Sequence, residues 1–409
     1  MSKSYKSWRN FLLFAAGTLV SNIGSGAQGI ALPLYILDLT GSGTLMGTLT
    51  FLSFLPKILL SPIAGVFGDR INRKYLMVGL DYARGILILI LGILVHFRLL
   101  TIPILFGFQI FLSTLDTFFG PATSAMIPDL IGKEELVRAN SILGIVGGIS
   151  QMIGPVIGGV IYGLGGIFLI FIINAISFLG SATFEIFIKY TSSAKKKLFS
   201  VKYLFSEIKE GIAFVLKKRG LLILMGFSMF MNFVFDPFFR IVLPFIIRKI
   251  FKYPPSFVGF LEGALVGGVL VANILLSIFL SKEDTGKLIK GGTVLLETLF
   301  VLFLLSLSPL LGITSLIVIA VIGVGFSIPF INNPVMANIM KMAHGGIRSR
   351  VLSLLDMTSQ MMIPFGALIF GFLLDKMPYY FLLIGIGVFT TILALLFIFW
   401  APREVFYPE

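Results

Sequence analysis

Six ionisable residues lie inside long apolar runs of this 409-residue chain: Lys57, Asp116, Asp236, Arg240, Glu262 and Glu297. An ionised side chain at the middle of a bilayer costs at least about 2.5 kcal/mol, so each of the six calls for a partner or a task. Four of them are acids. A carboxyl that moves between an apolar site and water can take up a proton on one side of a membrane and release it on the other. Asp236 and Glu262 are therefore the first proton-coupling candidates, followed by Asp116 and Glu297. Asp236 and Arg240 stand four apart, on one face of a helix, where they form an ion pair that a proton or a substrate can break. Each position also has a plainer reading. Asp236 with Arg240 can be a purely structural pair, Glu262 can reach outside water, Lys57 can neutralise a buried acid, and Glu297 can face a helix contact.

A second concentration of charge lies in "AGVFGDRINRKYLMVGLDYARG", residues 64 to 85, where six charges fall between Asp69 and Arg84 in a chain only 12% charged. Gly65 and Gly68, three apart, leave room for a neighbouring helix to approach. Asp69 can accept hydrogen bonds from Arg70, Arg73 or the N-terminus of another helix, with Lys74 adjoining. Asp81 and Arg84 are spaced three apart, so they can pair on one helical face and extend the same network.

The elements that must position these residues are helices in a bilayer. Hydrophobic residues make up 57% of the chain and mean hydropathy is +1.02, more apolar surface than an aqueous domain can cover. Apolar stretches between charged or Pro/Gly-rich breaks mark twelve spans, at 9–37, 43–67, 75–97, 102–126, 138–163, 165–189, 220–247, 255–280, 287–308, 312–340, 350–374 and 378–400. Each is long enough to cross a hydrocarbon core of roughly 30 Å as a helix. The expected organisation is a six-helix bundle over residues 1–189, a linker over 190–219 and a second six-helix bundle over 220–409. In the linker Val201, Leu204, Phe205, Ile208, Ile212 and Val215 recur at helical spacing, which predicts an amphipathic helix.

Charge placement sets the orientation. With both termini on one side, 24 of the 32 Lys and Arg residues fall in the loops of that side and five in the opposite loops. The positive-inside bias puts the termini, the linker and the 64–85 loop in the cytoplasm, with membrane lipids around the spans. The net charge of +13 is thus accounted for without nucleic acid. The absence of cysteine and the presence of only two histidines, His96 and His344, argue against a redox or zinc enzyme, and no cofactor is expected. The basic N-terminus precedes an apolar run too long for a signal-peptide core, so it reads as the first span.

Two signatures give this arrangement a resemblance. Gly65-Val-Phe-Gly68-Asp69-Arg70-Ile-Asn72-Arg73-Lys74 is similar to the loop 2/3 signature of the major facilitator superfamily, with Asn72 in place of a glycine. Asn is among the few residues that tolerate a left-handed turn. Gly154-Pro155-Val-Ile-Gly158-Gly159 in span 5 resembles that family's antiporter motif, with Ser150 where a preceding glycine is usual. "LTGSG", "IPDLIGKEELVRANSILG" and "NAISFLG" look like the branch containing macrolide-efflux proteins and the enterobactin exporter.

The resemblance implies an all-α membrane protein of the superfamily's fold: twelve transmembrane helices in two six-helix halves around a central cavity. It implies that the 64–85 loop latches the halves on the cytoplasmic side, and that spans 1, 4, 7 and 10 line the cavity. Those spans carry Asn22, Gln28, Asp116, Asn232, Asp236, Arg240, Asn332 and Asn333, although the Asn pair can instead cap a helix broken at Pro334. Lys57 joins them as a group that could hold an anion. The expected activity is not enzymatic. It is proton-coupled export of an amphipathic drug or metabolite by alternating access, as a monomer in a bacterial cytoplasmic membrane. No phosphate loop of the G-x-x-x-x-G-K-[ST] kind occurs, so protons rather than ATP would supply the energy. Rival readings are a lysophospholipid or siderophore transporter gripping its anion with Lys57 and Arg240, a divalent metal exporter of the ferroportin kind using Asp38, Asp116 or Asp236, and a non-transporting membrane subunit or receptor.

Overall fold

The computed structural model describes the backbone of residues 2–70, 72–190, 201–279, 284–308, 314–343 and 347–407, and the side chains of these except 2–7, 62, 63, 65–70, 133, 201–208, 279 and 349. Among the described residues the regular structure is entirely helical. The first half of the chain forms α1 (Ser2–Thr40), α2 (Gly43–Arg70), α3 (Arg73–His96), α4 (Ile102–Leu130) and α5 (Leu136–Ile186). The expected linker helix is present as α6 (Val201–Lys217). The second half forms α7 (Arg219–Pro237), α8 (Leu243–Phe245), α9 (Pro255–Phe279), α10 (Thr285–Ser306), α11 (Thr314–Ser327), α12 (Pro329–Met342), α13 (Arg348–Met361), α14 (Ile363–Lys376), α15 (Tyr379–Trp400) and α16 (Arg403–Phe406).

Among the described residues, ten stretches are long and apolar enough to cross a membrane. One of them, α5, has 51 residues. At about 1.5 Å per residue that is more than twice a bilayer core of roughly 30 Å. It bends at Gly166, where φ is 63° and ψ −167°, a conformation open to glycine because it lacks a Cβ. The two arms correspond to the expected spans 5 and 6, and with α1 the arrangement is consistent with twelve crossings.

Other breaks also have causes in the sequence. After Pro237, which cannot continue the backbone ladder, two π-helical turns over Phe238–Val242 and Ile246–Ile250 flank α8 and keep one helical path to Ile250. α11 and α12 part at Ile328, directly before Pro329. Asn72 starts α3 by accepting the Lys74 backbone N–H at 3.1 Å, and its φ of −59° is not left-handed. It is tolerated in the loop signature as a helix cap, not through the left-handed geometry expected of that position.

The chain forms two compact units. The first contains Met1–Gly41, Leu49–Phe199 and Lys252–Gly263, and the second contains Ser42–Thr48, Ser200–Phe251 and Ala264–Glu409. In the first unit, α1 and α5 meet through small residues. A Cβ on Gly154 would lie 3.0 Å from Gly26 Cα, and one on Gly158 would lie 2.5 Å from Ala27. Such backbone approach is what small residues allow where lipid supplies no hydrophobic drive between helices. Phe14, Met77, Met126, Leu130 and Ile188 close the core at one end of this unit.

In the second unit, Phe238 packs edge-on against Phe300 and Phe303, and Phe235 lies 4.5 Å from Phe300. The linker helix docks within this unit, with Gly211 close to Leu354 and Arg350 donating to Glu210 at 2.8 Å. The first turn of α2 also belongs here. Asp375 accepts hydrogen bonds from Ser42 Oγ at 2.6 Å, Gly43 N at 2.8 Å and Thr44 N at 2.9 Å, so a carboxylate on α14 caps α2.

Candidate functional site

In the first unit, one turn of α3 brings Asp81 and Arg84 together, as their spacing requires. Asp81 is fully buried and Arg84 is 6% exposed. The guanidinium donates from Nη2 to Asp81 and from Nη1 to Asp116 on α4 at 2.9 Å. Its flat face lies 4.0 Å from the Phe119 ring and 4.8 Å from that of Phe178, a seat suited to a weakly hydrated planar cation. Lys57 on α2 acts electrostatically on the same Asp116. The polar groups of spans 2, 3 and 4 thus meet around one arginine, and Asp116 carries the exposed end, with 59% of its side chain accessible.

One residue that sequence reasoning did not single out completes this cluster. Glu185 on α5 is completely buried, lies against Asp81 and contacts Ser181 Oγ at 3.4 Å. Gln28 and Asn174 form a separate buried pair, with Asn174 Nδ2 donating to Gln28 Oε1 at 2.6 Å. Gln28 therefore has its oxygen engaged inside the helix packing, whereas Asn22 is exposed. Asp38 accepts a 2.9 Å hydrogen bond from the Tyr162 hydroxyl.

Of the charged loop, Gly65, Gly68, Asp69 and Arg70 lie outside the described side chains. Arg73 bonds Asp129 Oδ2 at 2.8 Å and the Ala125 carbonyl at 2.9 Å, and Tyr190 donates to the same carboxylate at 2.7 Å. Burial, and then the Asp129 carboxylate it touches, push the Tyr190 phenol above its ordinary value. Lys74 donates to the Ile186 carbonyl at 2.7 Å. These contacts tie the start of α3 to the ends of α4 and α5. The antiporter-like glycines contribute close packing: Gly154 and Gly158 receive α1, and Gly159 would place a Cβ 2.6 Å from the Pro255 carbonyl of α9, beside Pro155.

In the second unit a cavity of about 200 Å³ is lined by Asn232, Asn332, Ser228, Phe227, Phe235 and Met231, with Leu296 and Ile328 among its apolar walls. It lies where α11 gives way to α12, so the chain breaks its helix beside a polar hollow, as membrane proteins do where backbone lines a cavity. Asn232 donates to the Ser228 carbonyl at 2.9 Å, and Asn333 turns away to bond Asn273 at 2.9 Å. Asp236 and Arg240 form the expected pair at 2.7 Å, with the arginine side chain 50% exposed. Glu297 on α10 accepts from Thr391 at 2.7 Å and from Thr390 at 3.0 Å on α15. Glu262, partly buried on α9, belongs to the first unit.

A run of apolar helices that cross a bilayer, break beside an amide-lined cavity and bury acids among hydroxyls and a guanidinium defines a multi-pass membrane transporter. The family model for the Major Facilitator Superfamily matches residues 14–366, and the chain belongs to that superfamily. Its relatives include macrolide efflux protein A of Streptococcus pyogenes, 25% identical over 94% of both chains, and the same-named protein of Enterococcus faecalis, 23% identical over 78% of this chain and 98% of that one. An uncharacterised transporter of the superfamily, YkuC of Bacillus subtilis, is 27% identical over 65% of this chain and 66% of its own length. Among solved structures, the fold is shared with the nucleoside transporter NupG (TM-score 0.76, 14% identity, 98% of this chain and 100% of that one). It is also shared with a bacterial homologue of the iron transporter ferroportin (TM-score 0.73, 16% identity, 97% and 99%).

Proposed function

We propose that this transporter exports an amphipathic drug or metabolite in exchange for protons. The observation that carries this reading is the second-unit cavity, where two carboxamides, Asn232 and Asn332, project among aromatic and aliphatic walls. Such a lining suits a ligand that is mostly apolar with a few hydrogen-bonding groups. The efflux activity named for its streptococcal and enterococcal relatives supports export as the direction and a large amphipathic molecule as the cargo.

Protons are the coupling ion in this reading because acids lie within the spans beside hydroxyls, which can donate or accept, and guanidinium groups, which favour the ionised form. Glu297 has two threonine hydroxyls, Asp236 has Arg240, and Asp116 has Arg84. Asp236, Asp116, Glu262 and Glu297 remain the coupling positions proposed. The Arg73, Asp129 and Tyr190 contacts support the charged loop as a gate, because they anchor it to the helix ends that must move when access alternates.

The test is transport into sealed vesicles holding the purified protein, with a cationic dye, a macrolide and a lysophospholipid assayed in parallel under an imposed pH gradient. The proposal expects the dye or the macrolide to move with the gradient and to stop when a protonophore dissipates it. Movement of the lysophospholipid alone would replace the substrate class, and gradient-insensitive movement would overturn proton coupling.

A further inference from the structure

The cluster around Arg84 contains one more buried acid than its cation can neutralise. Asp81 and Glu185 are both fully buried and lie against each other, yet Asp81 Oδ2 and Glu185 Oε2 accept no N–H or O–H. Two carboxyl groups facing each other away from water are not both ionised while their guanidinium is shared with an ionised Asp116, because neither charge is solvated and each repels the other. The arrangement is satisfied if a single proton sits between them, one carboxyl donating and the other accepting.

α3 supplies Asp81 and Arg84, α4 supplies Asp116, α2 supplies Lys57, and α5 supplies Glu185 with the Ser181 hydroxyl. α1 approaches Ser181 through Gly17, and its neighbouring Thr18 and Ser21 carry no titratable group. Lys74 places its ammonium on the carbonyl of Ile186, one residue beyond Glu185. The guanidinium is shared: Asp81 holds one nitrogen and the accessible Asp116 holds another.

We infer that Asp81 and Glu185 form a proton-binding carboxyl pair, and that Arg84 links its occupancy to Asp116. When Asp116 is neutralised, whether by a cationic substrate or by its own protonation, Arg84 is left to Asp81 alone. Its full charge then stabilises a carboxylate there. The O–H bond of the pair breaks, the proton passes to water, and the cluster again holds two carboxylates on one guanidinium, Asp81 and Glu185 in place of the pair's single anion and Asp116. When Asp116 recovers its charge, Arg84 is shared again and the pair takes a proton back. A static ion pair would require only Asp81; the second buried acid is what makes the site a proton store. The inference rests on the proton-coupled reading for its role in transport, but not for the presence of the proton.

The experiment uses the full-length protein in lipid nanodiscs, with infrared spectra recorded at neutral pH in water and in heavy water. A protonated buried carboxyl gives a carbonyl stretch that shifts on deuteration. Glu185→Gln and Asp81→Asn each place an amide that can donate to the remaining carboxylate, so both mimic the protonated pair and keep its packing. Loss of one component of the band in both variants is expected. A band unchanged in either variant overturns the site, and having two variants guards against a folding failure in one. In vesicles, gradient-driven dye accumulation by Glu185→Gln is expected to fall at least tenfold. Accumulation at the wild-type rate, with the infrared component lost, would overturn the coupling role. Wild-type transport that ignores the gradient would instead overturn the proton-coupled reading and leave the infrared assignment standing.

Discussion

Arg84→Met tests how the buried cluster is held. The guanidinium is 6% exposed, bonds Asp81 and Asp116, and packs between two phenylalanine rings. Methionine retains much of the apolar stem and leaves Asp81 in the core without its counter-ion. Breaking a buried pair from one side costs roughly 3–5 kcal/mol, because the remaining charge keeps its desolvation penalty. Where the pair gains a second proton in compensation, the loss falls at the lower end. For a unit of this size each kcal/mol is worth roughly 2–4 °C, so the apparent melting temperature should fall by on the order of 10 °C. Tryptophan-detected thermal unfolding in detergent measures this, since Trp8 packs within the same unit against Phe11. The double variant Asp81→Leu/Arg84→Met removes both charges and should recover at least half of the loss, because an apolar replacement of a buried pair is close to neutral. A single-variant shift below about 3 °C, or a double variant less stable than the single, would refute the reasoning.

Gly158→Val should lower the melting temperature by several degrees, because overpacking costs roughly 1–3 kcal/mol and the neighbours are the Ala27 backbone atoms; a neutral result would show that α1 and α5 can separate. Asn232→Leu and Asn332→Leu should each raise the substrate's apparent KM about tenfold with little change in melting temperature, as one hydrogen bond to a bound ligand is worth roughly 1–1.5 kcal/mol; unchanged transport would remove the cavity from the substrate path. Asp375→Asn weakens the cap on α2 by about 1 kcal/mol, so hydrogen exchange at the amides of residues 43–47 should quicken roughly fivefold, and unchanged exchange would show that the carboxylate is not needed.

How far the sequence could be read depended on the range of the signal. Span positions were legible within a few residues because each is set by a local run of apolar side chains against a fixed bilayer thickness. The linker helix was legible from the spacing of its apolar residues. Pairs three or four apart, Asp81 with Arg84 and Asp236 with Arg240, were legible because helical geometry alone brings them together. What could not be read were partners supplied by other helices. Nothing local says that Asp116 meets Arg84, that Thr390 and Thr391 serve Glu297, or that Asn174 engages Gln28. Glu185 escaped notice because it lies four residues before the expected end of span 6, where an acid ordinarily reaches water; the packing of α1 and α3 around Ser181 buries it instead. Asn72 caps a helix where its place in the loop signature predicts a left-handed turn, since the two roles share the same short polar side chain.

Proton exchange is the central claim, and the counter-movement of protons tests it most directly. Vesicles containing the purified protein and a trapped pH indicator, at equal pH inside and out, are given a gradient of substrate alone. The account predicts that downhill substrate flow drives protons the opposite way, so that the internal pH changes with substrate concentration and stays flat in Glu185→Gln. Substrate flow that leaves the internal pH unchanged in the wild-type protein would contradict it.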